Sequence, residues 1–158
     1  MGGRRWFWIL LFLAACSGGA PAPNSATVVD VVDGDTMLID FGGREELVRL
    51  IGIDTPETVH PERPVECFGP EASAFAAELL PPGVEVEVTR DVVDRDDYGR
   101  LLGYVHRSDG LFVNEEIVRQ GFAVPLRIEP NTTHSSAFVA AAQAAETDGL
   151  GLWAACRE

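Results

Sequence analysis

The chain has 158 residues and a strongly acidic composition, with 25 aspartate and glutamate residues against 12 arginines and no lysine. This length allows one compact domain with a single hydrophobic core, and it argues against a second domain. Proteins that hold nucleic acid tightly neutralise its phosphates with many cations, so the composition argues against a high-affinity nucleic-acid binder. A turnover enzyme with a few local cations and a bound metal remains allowed.

The beginning of the chain predicts a signal peptide over residues 1–15. Arg4 and Arg5 precede an unbroken apolar run, residues 6–15, which is the typical arrangement of an export signal. As a helix this run would be about 15 Å long, roughly half the thickness of the hydrocarbon core, which disfavours a transmembrane anchor. A buried N-terminal helix, the other alternative, lacks a partner face in the sequence.

Cys16 follows this run directly, and residues 13–16 resemble the lipobox of bacterial lipoproteins. That resemblance implies cleavage before Cys16 and lipidation of the new N-terminus. Residues 16–25 carry no charge and are rich in Gly, Ala, Pro and Ser, which predicts a flexible tether before a folded domain over residues 26–158. We therefore expect an exported monomer, lipid-anchored to the periplasmic or extracellular face of the bacterial cell envelope, that contacts the membrane only through its lipid.

The other two cysteines predict a disulfide. If Cys16 carries lipid, Cys67 and Cys156 remain, and a compartment outside the reducing cytosol permits them to pair. The alternative is two separate buried thiols. It is disfavoured because both cysteines lie beside Gly-, Pro- or charge-rich stretches, which are typical of exposed segments.

The rest of the chain shows five short strand patterns with helical segments interspersed among them. The strand patterns cover residues 27–33, 36–41, 46–51, 84–88 and 101–106, and the helical patterns cover residues 70–80, 113–120 and 135–146. Asp33-Gly34 between the first two strands is a strong hairpin signal. Because no strand-helix-strand alternation is present, the pattern argues against a doubly wound sheet. It predicts an α+β fold, a small barrel with attached helices.

Three acids fall where the predicted chain bends: Asp35 after the hairpin turn, Asp54 at the end of the third strand, and Glu57 three residues later. Carboxylates presented from turns can converge on one hard cation, and so sparse a set would admit calcium or magnesium. Taken singly, each acid is equally typical of ordinary turn chemistry.

Two arginines flank these acids in the predicted meander. Arg49 lies on the third strand and Arg100 follows Tyr98-Gly99, and arginine offers paired donors to phosphate oxygens. Singly, Arg49 is equally compatible with a surface strand residue and Arg100 with a solvated loop charge. On a straight strand Arg49 and Asp54 would lie about 16 Å apart, so convergence requires a bend, for which Gly52 supplies a site.

Six motifs together resemble the staphylococcal nuclease (thermonuclease) family in order and spacing. They are Asp33-Gly34-Asp35-Thr36, Arg49 with Ile53-Asp54-Thr55-Pro56-Glu57-Thr58, Gly69-Pro70-Glu71-Ala72, Asp97-Tyr98-Gly99-Arg100, Val113-Asn114 and Val118-Arg119-Gln120-Gly121. The resemblance extends from Thr27 to Trp153, and it is specific because six separate motifs agree. The fold that it implies is a five-stranded OB-type β-barrel with three helices.

The resemblance also implies a metal site and a base. Calcium would be bound by the side chains of Asp35 and Asp54 and by the backbone carbonyl of Thr55. Glu57 would be the general base that takes a proton from a water beside the metal.

The same resemblance implies a phosphate site and a reaction. Arg49 and Arg100 would bind the scissile phosphate and stabilise its charge, and Tyr98 would hydrogen-bond a terminal phosphate. The implied reaction is calcium-dependent cleavage of the P–O5′ bond of DNA or RNA, which leaves 3′-phosphates.

Two departures from the family pattern weaken the expected capture of substrate. Residues 126–129, Leu-Arg-Ile-Glu, stand where the family nuclease has aromatic side chains that stack on a base, and stacking contributes about 1 to 3 kcal/mol per base. The segment 60–66 and Asp97 are mainly acidic or neutral where the family nuclease has lysines. A nuclease-like binding module or an accessory envelope lipoprotein is the alternative. Retention of all five acids and arginines favours the enzyme.

Overall fold

The computed structural model describes residues 25–58 and 64–156, so the predicted signal peptide, Cys16 and nearly all of the predicted tether lie outside the described residues. Within the described residues no helix is long and apolar enough to cross a membrane. The same residues form seven strands and four helices, in the order β1 (Ser25–Val31), β2 (Thr36–Asp40), β3 (Glu45–Leu50), β4 (Ile53–Asp54), α1 (Gly69–Leu79), β5 (Glu85–Thr89), β6 (Leu101–Arg107), α2 (Val113–Arg119), β7 (Val124–Pro125), α3 (Ser135–Asp148) and α4 (Leu152–Ala155).

Five of the strands close into a barrel in the order β1-β2-β3-β6-β5. Neighbouring strands are antiparallel except β3 and β6, which run parallel with Val48 opposite Leu101. The predicted α+β fold with a five-stranded OB-type barrel is confirmed. Each barrel strand coincides with one of the five segments that the sequence pattern indicated, because one face of each strand must be apolar to fill the barrel.

The barrel interior is aliphatic. Strand β5 shows the alternation directly, since Val86 and Val88 are buried while Glu85 and Glu87 are exposed. Burying a side chain of this size contributes roughly 1.5 to 3 kcal/mol, so the interior supplies most of the driving force for closure. Helix α2 packs on β6 and on α3, and α1 contacts α2 and β1.

Three short elements were not predicted. Strands β4 and β7 pair antiparallel, with Ile53 opposite Pro125 and Asp54 opposite Val124, and the four-residue helix α4 follows Gly151. Three helices were predicted, whereas the described residues form four. A two-residue strand or a single helical turn is too short to produce a period, so sequence patterns could not indicate them.

The predicted bend lies at Gly52, between β3 and β4. Its φ is 81°, a left-handed conformation that favours glycine, and a Cβ at this position would lie 2.5 Å from Cε2 of Phe138. Both the backbone and the close packing of α3 therefore require glycine here. The bend turns the chain so that Asp54 returns toward Arg49.

A buried asparagine connects helix α2 to the parallel strands beneath this bend. Asn114 Nδ2 donates to the carbonyl oxygens of Ile51, at 3.0 Å, and Gly103, at 3.3 Å. Its Oδ1 accepts the backbone N–H of Val105 at 2.9 Å. These bonds satisfy backbone groups where the ladder ends, so Asn114 fixes the position from which the chain enters the bend.

Candidate active site

Arg49 on β3 occupies the centre of the site. Its Nε lies 2.9 Å from Oδ1 of Asp35, and its Nη2 lies 2.8 Å from Oδ1 of Asp54. Its Nη1 donates to the carbonyl oxygens of Leu50, at 2.7 Å, and Ile53, at 2.9 Å. The side chain is only 13% exposed. One guanidinium thus joins two of the three acids predicted for the site and holds both sides of the Gly52 bend.

Asp35 is buried, with 7% of its side chain exposed, and both oxygens of its carboxylate accept hydrogen bonds. Oδ2 accepts the backbone N–H of Thr55 at 3.0 Å and the Thr55 hydroxyl at 3.1 Å. Oδ1 accepts the hydroxyl of Thr36 at 3.2 Å in addition to Arg49. The β1–β2 turn and the segment after β4 are therefore joined through this carboxylate across 20 residues of sequence.

Asp33, in the same turn, has a different environment. Its Oδ1 accepts the backbone N–H of Asp35 at 3.0 Å. Burial and then the negative charge of Asp35 raise the pKa of Asp33 to about 6. The turn therefore carries one carboxylate held by a guanidinium and a second one that becomes protonated in mildly acidic solution.

Negative charge accumulates around Asp54. Its side chain is 53% exposed, yet burial of the remainder raises its pKa, the charges of Asp35, Glu66 and Glu57 raise it further, and Arg49 opposes them. Within residues 25–58 and 64–156, no three His, Cys, Asp or Glu side chains form a metal cage by themselves. The oxygen-only donors of Asp35 and Asp54, with an excess of nearby carboxylates, fit a hard divalent cation completed by carbonyl and water oxygens.

Arg100 approaches the same acids from the segment before β6. Its Nε lies 2.7 Å from Oδ2 of Asp96, whose Oδ1 accepts the Arg100 backbone N–H at 2.9 Å. Its Nη1 donates to Oγ1 of Thr36 at 3.3 Å, and that hydroxyl in turn donates to Asp35. The Thr36 hydroxyl therefore connects Arg100 to Asp35, the carboxylate that also pairs with Arg49. Tyr98 is 86% exposed, and its ring centroid lies 5.4 Å from Cζ of Arg100.

Arg49, Arg100 and Tyr98 all line one cavity of about 400 Å³, a size typical of a small-ligand site. Its walls are mainly apolar side chains with an acidic rim, and they include Val93, Leu102, Leu126, Ile128, Asp97 and Glu129. Asn131 fixes one wall, because its side-chain amide both donates to and accepts from the backbone of Val93 at 2.8 Å. Both arginines therefore border the space that a ligand would fill.

Glu57 follows Asp54 and Thr55 in the chain, two residues after Thr55. Its Oε1 accepts the backbone N–H of Thr58 at 2.9 Å, and its own N–H donates to Oε2 of Glu66 at 3.1 Å. The structure thus brings Asp35, Asp54, Arg49 and Arg100 into one connected set, with Glu57 close enough for its charge to act on Asp54.

The family model described as "Staphylococcal nuclease homologue" matches residues 47–155. The chain belongs to the staphylococcal nuclease family. It is 35% identical to the thermonuclease of Staphylococcus intermedius, over 92% of this chain and 90% of that protein. It is also 35% identical to the thermonuclease of Staphylococcus hyicus, over 87% of this chain and 81% of the relative, and 37% identical to Endonuclease YncB of Bacillus subtilis, over 82% and 61%.

Three residues of the site were not predicted from the sequence: Thr36, Asp96 and Glu66. Thr36 and Asp96 left a signal, because Thr36 directly follows Asp35 and Asp96 precedes Arg100 by four residues. Glu66 left none, since it is nine residues from Glu57 in a segment without periodicity.

A disulfide joins Cys67 and Cys156, the pair that the sequence predicted. The Cα atoms of Cys67 and Cys156 lie 6.0 Å apart, and the bridge spans 89 residues. It fastens the residue after α4 to the segment that carries Glu66. Both cysteines line a second cavity, of about 290 Å³, together with Asp54, Thr55 and Glu66.

Proposed function

We propose that this protein is a calcium-dependent phosphodiesterase that hydrolyses DNA or RNA and leaves 3′-phosphate products. The observation that carries the proposal is the position of Arg49, which contacts both Asp35 and Asp54 and, with Arg100, lines the 400 Å³ cavity. Membership of the staphylococcal nuclease family supports it, as do relatives whose names are thermonuclease and endonuclease.

The two arginines are proposed to bind the scissile phosphate. Each guanidinium is held by a carboxylate, Arg49 by Asp35 and Asp54 and Arg100 by Asp96, which fixes its orientation before substrate arrives. Pre-oriented donors stabilise the extra negative charge that develops on phosphate oxygens in the transition state. Tyr98, exposed at the edge of the cavity, would hydrogen-bond a terminal phosphate.

Asp35, Asp54 and the backbone carbonyl of Thr55 would hold the calcium ion. When bound, the ion would supply positive charge to neutralise the phosphate and to make a nearby water more acidic. Thr55 fixes the direction of the Asp35 carboxylate through its N–H and hydroxyl.

Glu57 is proposed to accept a proton from the attacking water. The water oxygen forms a bond to phosphorus while the P–O5′ bond breaks, and the O5′ leaving group takes up a proton, with Arg100 stabilising the charge in between. One water is consumed, and a 3′-phosphate and a 5′-hydroxyl are formed. The Thr58 N–H bound to Oε1 helps to direct the Glu57 carboxylate.

Activity of the full-length chain, purified in mild detergent, on single-stranded DNA tests this proposal. We expect cleavage with calcium, none with a chelator, and about a 10²- to 10⁴-fold loss in Glu57→Gln. Glu78→Gln, which neutralises an exposed acid on α1, is the matched control and should cleave normally. The products should resist extension by a polymerase until a phosphatase removes the 3′-phosphate.

A catalytically weak binding or envelope accessory module is the second candidate. It is favoured by the aliphatic Leu126 and Ile128 in the cavity wall, which provide no ring for a base to stack on. Intact DNA under every metal condition would support this candidate over the enzyme.

We also propose that the protein is exported and lipid-anchored at Cys16, as a monomer on the cell envelope. The support is the sequence of residues 1–16, together with a disulfide that suits an oxidising compartment. Cys16→Ser should move the protein from the membrane fraction to the soluble fraction of expressing cells. Unchanged fractionation and a mass without lipid would rule out the anchor.

A further inference from the structure

We propose that Glu66 is a positioning residue that holds the backbone of Glu57, and that the Cys67–Cys156 disulfide keeps Glu66 in place. The inference rests on the proposed role of Glu57 as the base. It adds Glu66, Cys67 and Phe68 to the machinery of the site, and we call these three residues the clasp.

Glu66 is bonded to both backbone polar groups of Glu57. Its Oε2 accepts the Glu57 N–H at 3.1 Å, and its own N–H donates to the Glu57 carbonyl oxygen at 2.9 Å. A side chain turns with its backbone, so these two bonds restrict the directions in which the Glu57 carboxylate can point. A base displaced by about 1 Å loses much of its efficiency, which makes this restriction important for the reaction.

Glu66 needs to be held, because its surroundings repel it. Its charge and the charge of Glu57 are among those that raise the pKa of Asp54, so three carboxylates share this side of the site. Like charges at short range favour separation, and an unrestrained Glu66 would turn toward water. The hydrogen bond from the Glu57 N–H opposes this repulsion, and a restraint on the Glu66 backbone would strengthen it.

The rest of the clasp supplies that restraint. Cys67 is bonded to Cys156, and the Phe68 ring lies 5.2 Å from the ring of Phe122 in a stacked arrangement. Phe68 has a φ of 68°, the one non-glycine residue in the described ranges with a positive φ. Such a conformation costs about 1 to 3 kcal/mol and persists only where the surrounding contacts enforce it. The disulfide on one side and the ring stack on the other do so here.

Gly69, the residue after the clasp, packs against the segment that carries Glu57. A Cβ on Gly69 would lie 2.9 Å from the Glu57 carbonyl oxygen and 2.8 Å from Cγ2 of Thr58, so the start of α1 is packed directly on the base segment. The Thr58 and Ser73 hydroxyls, 3.2 Å apart, add a contact to the next turn of α1. Release of the disulfide would therefore loosen the segment that carries Glu57 as well as the clasp.

Kinetics of the full-length, oxidised chain on single-stranded DNA tests the inference. We expect Glu66→Ala to lower kcat about 10- to 100-fold with KM changed less than about twofold, because it acts through Glu57 and not on substrate. Glu66→Gln should recover most of kcat, since an amide oxygen can still accept the Glu57 N–H. Cys67→Ser combined with Cys156→Ser should resemble Glu66→Ala, and a reductant should lower kcat only where the disulfide exists.

Amide hydrogen exchange at Glu57 provides a readout that does not depend on activity. The Glu57 N–H should be protected in the oxidised chain and in Glu66→Gln, and it should exchange at least about tenfold faster in Glu66→Ala and after reduction. If Glu57→Gln is inactive while Glu66→Ala keeps full kcat and a protected amide, the positioning role is wrong and the proposed function stands. If the chain cleaves nothing with any metal, the proposed function fails. Exchange at the Glu57 N–H then tests the clasp by itself: faster exchange in Glu66→Ala supports it, and unchanged exchange contradicts it.

Discussion

The two arginines of the site are held in different ways. Arg49 is nearly buried, and each of its three nitrogens has a partner. The four partners are two carboxylates and two carbonyl oxygens. Arg100 is 28% exposed, and one carboxylate, Asp96, and one hydroxyl hold it. Arg49 is therefore part of the folded structure as well as of the proposed phosphate site, whereas Arg100 contributes less to the fold and is proposed to act mainly on the phosphate. We therefore predict that removing Arg49 lowers both stability and activity, whereas removing Arg100 lowers mainly activity.

Arg49→Ala should have the largest effect. Without the guanidinium, Asp35 is left buried without a counter-charge, and breaking a buried ion pair on one side costs about 3 to 5 kcal/mol. We expect the free energy of unfolding to fall by that amount in urea denaturation and kcat/KM to fall about 10²- to 10³-fold in the folded fraction. Arg49→Ala with the stability of the unmodified chain would show that Asp35 does not depend on Arg49.

Arg100→Ala should lose activity without a comparable loss of stability. Its ion pair with Asp96 is partly exposed, and pairs of this kind contribute about 0.2 to 1 kcal/mol. Activity on DNA should fall about 10²- to 10³-fold. Arg100→Lys keeps the charge but loses the planar fork, so it is the matched control and should recover only part of kcat. Equal urea midpoints for Arg49→Ala and Arg100→Ala would remove the distinction between the two sites.

The smallest effect concerns the two acids of the β1–β2 turn. Asp33 has a pKa raised to about 6, so the folded chain binds more protons than the unfolded chain between about pH 4 and 6. This contribution favours folding at low pH and is lost as the pH rises through 6. Asp33→Asn keeps the oxygen that accepts the Asp35 N–H, and it should raise stability above pH 6 by about 1 to 2 kcal/mol in chelator. Denaturation midpoints at pH 4 and pH 7.5 measure the difference, and an equal change at both would contradict it.

The barrel could be predicted from the sequence because its strands follow a local rule. Val86 and Val88 alternate with acids, and Asp33-Gly34 predicts the hairpin between β1 and β2. The bend at Gly52 could also be predicted, since Arg49 and Asp54 could meet only if the chain turned between them. These features depend on neighbours within a few residues, which a sequence displays directly.

The contacts inside the site depend on closure of the whole domain, and they could not be predicted in the same way. Thr36 is a neighbour of Asp35 in the sequence, but nothing local indicates that its hydroxyl also contacts Arg100, 64 residues away, or that Glu66 hydrogen-bonds to Glu57. The β4–β7 pair, which includes Asp54, is too short to leave a pattern. The signal peptide and the lipid on Cys16 stay predictions, because they fall outside the described residues.

The parallel pairing of β3 with β6 determines when the site can exist. Arg49 lies on β3 and Arg100 directly precedes β6, so the ladder that places Val48 opposite Leu101 also places the two guanidinium groups at one edge. Pairing between segments so distant in the chain forms late, because loop closure must precede any gain from contact. On the proposed function, a nascent or partly unfolded chain would carry every acid and arginine of the site but could not bind a phosphodiester. The proposed activity would therefore begin only when the barrel has closed.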